Sequence, residues 1–129
     1  MELNQLLATM PFAEALGIVL TKAEPDGVEG ALAWSAERCT SGDAMHGGAI
    51  MTLADSLGGI CAFLNVPEGA GTSTIESKTN FMRGVREGEV TARAEPIHVG
   101  GRTIVVQTRV RDDRGKLVAL TTQTQAVLK

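Results

Sequence analysis

The sequence predicts an α+β domain in which an antiparallel sheet has one long helix to bury. Three stretches carry that expectation. Ala49–Leu64 is apolar on nearly every side, and a helix without a polar face belongs in the interior. The stretch from Gly17 to Trp34 reads as a hairpin, and three extended runs and a closing strand follow the helix. At 129 residues the chain has material for one domain, spanning 1–129.

Taken in order, Glu2–Leu16 carries Leu3, Leu6, Leu7, Met10, Phe12, Ala13 and Leu16, divided by Pro11, which suggests two short helical turns. Gly17–Ala23 turns β-branched. Glu24-Pro25-Asp26-Gly27 has the composition of a turn, and Val28–Trp34 places apolar side chains at alternate positions. Ala36–Ala44 is the loop that delivers the chain to the helix. Beyond Leu64, Asn65-Val66-Pro67-Glu68-Gly69-Ala70-Gly71 stops the helix, because proline and repeated glycine cannot continue it. Thr72–Phe81, Glu89–Val99 and Arg102–Arg111 are then extended; Ile104, Val106 and Val110 fall on one face of the last. Asp112-Asp113-Arg114-Gly115 is a hairpin turn, and Lys116–Leu128 closes the sheet. Pro96 requires an edge or a bulge, so its strand should bend there.

Composition narrows the function. With 43% hydrophobic and 21% charged residues the chain has an ordinary globular make-up. Three Phe, one Trp and no Tyr leave few platforms for stacking bases, and a net charge of −3 with a pI near 5.3 lacks the basic footprint of a duplex binder. Nucleic acid is therefore not an expected partner. The helix is too short, and too interrupted by Thr52, Asp55 and Gly58-Gly59, to span a bilayer, so no membrane role is expected. Two cysteines, Cys39 and Cys61, with no signal-like start, suggest a cytoplasmic setting with free thiols. With two histidines, His46 and His98, and no cluster at ligand spacing, neither a structural nor a catalytic metal is expected. A phosphate loop with a following lysine and a Gly-x-Ser-x-Gly elbow are both absent from the sequence, which removes support for nucleotide hydrolysis and serine-hydrolase chemistry.

One residue of the helix does not fit its surroundings. A carboxylate at Asp55 loses hydration that costs several kcal/mol unless it is paired or hydrogen-bonded. Either its azimuth reaches a groove or a subunit seam, or it is a catalytic carboxylate in a cleft; alone, the first reading is commoner. The other end of the helix changes the balance. Gly47 and Gly48 fall in its first turn, where backbone N–H groups lack helical partners and the macrodipole is positive, so a substrate oxygen can be held there.

Met45-His46-Gly47-Gly48 with Leu53-Ala54-Asp55 resembles the active-site helix of the hotdog-fold acyl-CoA thioesterases, in the PaaI-like branch of the 4-hydroxybenzoyl-CoA thioesterase superfamily. The resemblance implies a sheet wrapped round one helix, acyl-CoA as small-molecule substrate, and no cofactor beyond the coenzyme A of the substrate. It also implies a homo-oligomer: a dimer with shared active sites, often a tetramer built as a dimer of dimers. In that family Asp55 is nucleophile or general base, the Gly47 N–H polarises the thioester carbonyl with Gly48 beside it, and His46 lies near the thioester. A histidine bonded to backbone at a helix start is the structural alternative for His46. Six residues before that histidine the family usually places an Asn; here Thr40 stands there, with Ser41 next to it. Ser73 and Thr74 match a hydroxyl aimed at the attacking water, and Arg83, Arg86 and Arg102 are candidate contacts for the ligand's phosphates. Two rival functions share the fold: a non-catalytic acyl-CoA-binding protein, and a hydratase or dehydratase, whose catalytic His–acid pattern differs.

The sequence also constrains how such a site is assembled. Gly47 and Asp55 are eight residues apart on one helix. At 1.5 Å per residue that is roughly 12 Å along the axis, too far for both to touch one carbonyl. Two antiparallel copies about a two-fold axis would bring Gly47 of one chain to Asp55 of the other.

Overall fold

A computed structural model describes residues 2–129. The chain opens with two one-and-a-half-turn helices, α1 (Leu3–Ala8) and α2 (Pro11–Leu16), the second starting on proline at its first position, where a missing N–H costs nothing. The hairpin β1 (Val19–Glu24) and β2 (Gly27–Ala33) follows. Two 3₁₀ turns, Ala36–Arg38 and Ser41–Asp43, lead into α3 (Gly47–Phe63), and then come β3 (Gly71–Phe81), β4 (Glu89–Val99), β5 (Thr103–Arg111) and β6 (Leu117–Leu128). Among the described residues these strands form one six-stranded antiparallel sheet in the order β1-β2-β4-β5-β6-β3.

The sheet curls around α3, which is the hotdog arrangement. Leu53, Ala54, Leu57, Cys61 and Ala62 are fully enclosed, against Val28 and Leu32 of β2, Val90 and Ala94 of β4, and Ile104, Val106 and Val110 of β5. Both faces of the expectation about Pro96 hold: the ladder shifts register between Pro96 and His98, and β2 ends its pairing before that point, at Ala94. Cys61 is buried, and that burial pushes its thiol up to about 11, so it packs as an apolar residue.

The structure corrects two expectations. β6 does not close the sheet: it lies between β5 and β3, and β3 is the edge. The residues 82–88 carry the chain past the start of α3, where the Met45 N–H donates to the Val85 carbonyl (2.8 Å), so β4 joins β2 while β3 pairs only with β6. The helix, moreover, is not covered on every side. Met51, Asp55 and Phe63 are exposed and Thr52 and Gly59 half-buried, a stripe at three- and four-residue spacing that the sheet leaves uncovered. The residues on it are largely apolar or small, which is why the sequence pattern reads as uniformly buried. Beside the stripe runs β3, eleven residues long and unpaired along its outer edge, with Ile75 62% and Phe81 50% exposed.

Candidate active site

The start of α3 is fixed from behind. The His46 N–H donates to the Arg38 carbonyl (2.7 Å), and Arg38 is itself clamped: its Nε donates to the Leu16 carbonyl (2.7 Å) and its Nη1 to the Ala33 carbonyl (3.0 Å) and Ser35 Oγ (3.1 Å). Held this way, His46 is the helix N-cap, and its Nδ1 accepts the Gly48 N–H at 2.7 Å. An accepting Nδ1 puts the proton of a neutral ring on Nε2. The Gly48 donor is therefore taken by the histidine, and the sequence expectation of two free glycine N–H groups is corrected to one. Gly47 N–H makes no hydrogen bond among the described residues. A side chain at Gly47 would run into the Phe81 ring, since a Cβ there would lie 3.1 Å from Cζ. Thr40 and Ser41 sit on the tight turn just before, where Gly42 and Asp43 take positive φ (77° and 59°) and the Thr40 N–H donates to the Ala44 carbonyl (2.8 Å); both side chains are exposed.

Two turns along the helix, Asp55 stands between two grooves. One, of ≈ 400 Å³, is lined by Leu6 and Met10, by Gly59, Ile60 and Phe63 of α3, and by Ser73, Thr74 and Gln125. The other, of ≈ 410 Å³, is lined by Met10, Phe12, Met51, Thr52 and Ser77. The carboxylate is open to solvent, yet enough protein surrounds it that burial raises its proton affinity; a hydrogen bond from Gln123 acts the other way. That bond runs from Gln123 Nε2 to Asp55 Oδ1 at 3.3 Å. Thr74 Oγ1 accepts from Gln125 Nε2 at 2.7 Å, which leaves the threonine hydroxyl hydrogen to donate.

The structure thus brings Asp55, Ser73 and Thr74 to one groove, and His46, Gly47, Thr40 and Ser41 to the other end of the helix. Arg83 and Arg86 lie at that other end, in a cleft of ≈ 560 Å³ that also holds Arg114 and Lys116. Glu87, Asp112 and Asp113 share the cleft, and Asp112 is engaged by the N–H groups of Lys116 (3.0 Å) and Arg114 (2.9 Å), which hold its carboxyl below the usual range. Arg102 is separated from them within the chain: its carbonyl accepts the Val127 N–H at the opposite end of the sheet.

Sequence reasoning passed over Gln123, Gln125, Arg114, Lys116 and Phe81. A signal for the glutamines was present. In Thr121-Thr122-Gln123-Thr124-Gln125 neither alternate set is apolar, so one polar set had to face inward; Thr121, Gln123 and Gln125 do, and are buried.

The sequence profile of the thioesterase superfamily matches residues 42–119. A Vibrio cholerae protein provisionally named an esterase is 40% identical over 83 residues, 64% of this chain and 55% of that one. The 1,4-dihydroxy-2-naphthoyl-CoA hydrolase of Escherichia coli is 33% identical over 84 residues, 65% of this chain and 62% of its own, so the chain spans less than two thirds of both relatives. A thioesterase from Haemophilus influenzae superposes with a TM-score of 0.92 at 29% identity, covering 100% of this chain and 92% of that one. Matched by that profile over more than half its length and by a thioesterase structure over its whole fold, the chain belongs to the thioesterase superfamily.

Proposed function

We propose that the protein hydrolyses acyl-CoA thioesters to a carboxylic acid and coenzyme A, as a PaaI-like member of its superfamily. The observation that carries this reading is a carboxylate at the mouth of an apolar groove, on the helix whose start presents an unpaired backbone donor. Asp55 acts as general base: raised proton affinity brings it nearer the pH at which it must take a proton from water. The water oxygen bonds to the carbonyl carbon, the Gly47 N–H holds the oxygen that becomes negative, and the C–S bond breaks. The proton held by Asp55 then passes to the departing thiolate. Direct attack by Asp55 on the carbonyl is the alternative role of the same group. The groove lined by Leu6, Met10, Ile60 and Phe63 suits an apolar acyl group, and the cleft of Arg83, Arg86, Arg114 and Lys116 suits the phosphates of coenzyme A. No cofactor enters beyond that coenzyme.

The donor and the base serve one carbonyl only in a dimer. A long unpaired edge such as β3, bearing exposed Ile75 and Phe81, is a template for another chain. A two-fold axis normal to the sheet would pair β3 with its copy antiparallel and set the open stripes of two α3 helices side by side, running in opposite directions.

Release of free thiol from aromatic and aliphatic acyl-CoAs, followed with a thiol-reactive dye, tests the reading. The expected result is stoichiometric thiol release from at least one acyl class. Binding of acyl-CoA without thiol release would instead identify a carrier, and hydration of an enoyl-CoA a hydratase.

A further inference from the structure

We infer that Gln123 is a positioning residue for Asp55, a role that rests on the catalytic reading of that carboxylate. Gln123 lies mid-strand on β6, its side chain turned inward and 1% exposed. Its neighbours across the ladder are Ser77 of β3 and Val106 of β5. The flanking inward residues satisfy themselves within the sheet, Thr121 Oγ1 with Thr79 Oγ1 at 2.7 Å and Gln125 with Thr74. Gln123 does otherwise. It crosses from sheet to helix, and its Nε2 donates to Asp55 Oδ1.

Two features show that packing alone does not account for this residue. The amide oxygen, Oε1, is buried without a hydrogen-bond partner, an arrangement that costs stability and that an apolar side chain would avoid. On the neighbouring strand β5 three of the four inward positions are apolar, Ile104, Val106 and Val110; the fourth, Thr108, is a smaller polar residue whose hydroxyl is likewise buried without a partner. The helix also gives way to the amide: at Gly58 any Cβ would overlap Gln123 Oε1 and Cδ. A glycine inside a helix is destabilising, yet here it opens the space through which the amide passes. The gain that offsets both costs is a carboxylate held in one orientation at the groove. Asp55 is on an open stripe, where its side chain would otherwise rotate in solvent, and a reacting group must stay within a fraction of an ångström of its place. Charged pairs lie elsewhere, Lys22 with Glu24 on β1 and Arg93 with Glu29 and Glu95 on the sheet, so the amide is the group that steadies Asp55.

The test is Gln123→Met, similar in length and without a donor, compared with wild type and Asp55→Asn. Positioning predicts kcat lower by about 10–100-fold with KM within about twofold, and a melting temperature that does not fall, because an orphan acceptor has been removed. It also predicts that the acid limb of the pH–rate profile moves to higher pH, since the amide favours the ionised form; a merely structural glutamine would not move that limb. Should the methionine variant fail to fold, Gln123→Asn keeps an amide too short to reach Asp55, and the same loss and limb shift are expected. If Asp55→Asn is inactive while the glutamine variant keeps wild-type kcat and an unmoved acid limb, the inference is overturned and the catalytic reading stands. If Asp55→Asn is fully active, both fall.

Discussion

Asp55→Asn lowers thioester hydrolysis by about 10²–10⁴-fold, the range in which a positioned general base contributes, and leaves the fold intact. The stability side follows from the direction of the shift. Because burial raises the folded carboxyl above its ordinary value, the native state binds the proton more tightly than the unfolded chain does. Stability is then lost as pH rises from the unfolded value through the raised one, and at neutral pH the ionised side chain carries the full penalty. Asparagine removes it, so the variant melts at or above the wild-type temperature near pH 7, and the difference narrows in acid. Over the same window wild-type activity rises as the base is uncovered, with its midpoint above the ordinary aspartate range. Thermal melts and initial rates on a common pH series check both. A wild-type rate in purified Asp55→Asn would remove the base from the mechanism.

Gly47→Val carries the second large effect. Its N–H is the free donor at the helix start, and a β-branched side chain there blocks the approach of the carbonyl oxygen and presses on Phe81. Loss of one oxyanion donor costs about 10²–10³-fold in kcat. Phe81 is half exposed and can move aside, so the melting temperature should fall far less than the rate. Loss of activity only in proportion to unfolding would mean that the glycine serves packing against Phe81.

Fold and site differ in how far local pattern specifies them. The helix, the hairpin and the strand limits came from apolar periodicity and turn residues, which act within a few positions, and even the bulge at Pro96 was legible because proline cannot donate to the ladder. Strand order was not: nothing local in Thr72–Phe81 tells that it pairs with β6 and leaves its other edge free. The open stripe of α3 was hidden for a different reason. Met51, Gly59 and Phe63 are as apolar or small as a core face, so periodicity could not separate the covered side from the uncovered one. Within the site, Asp55 stood out as a charge among apolar residues and Gly47 by its place at a helix start. Gln123 did not, since its meaning depends on a contact 68 positions away. The use of Gly48 N–H by His46 was equally out of reach, being decided by a side-chain rotamer.

The central claim is that each site takes its donor from one chain and its base from the other. It is tested by mixing Gly47→Val with Asp55→Asn in equal amounts under conditions in which chains exchange. A mixed dimer then has one site with both lesions and one with neither. With random exchange about half the dimers are mixed and half of their sites are whole, so activity should recover to about a quarter of the wild-type value. A mixture that stays inactive after exchange has been demonstrated, or a stable monomer with full activity, would contradict the shared site.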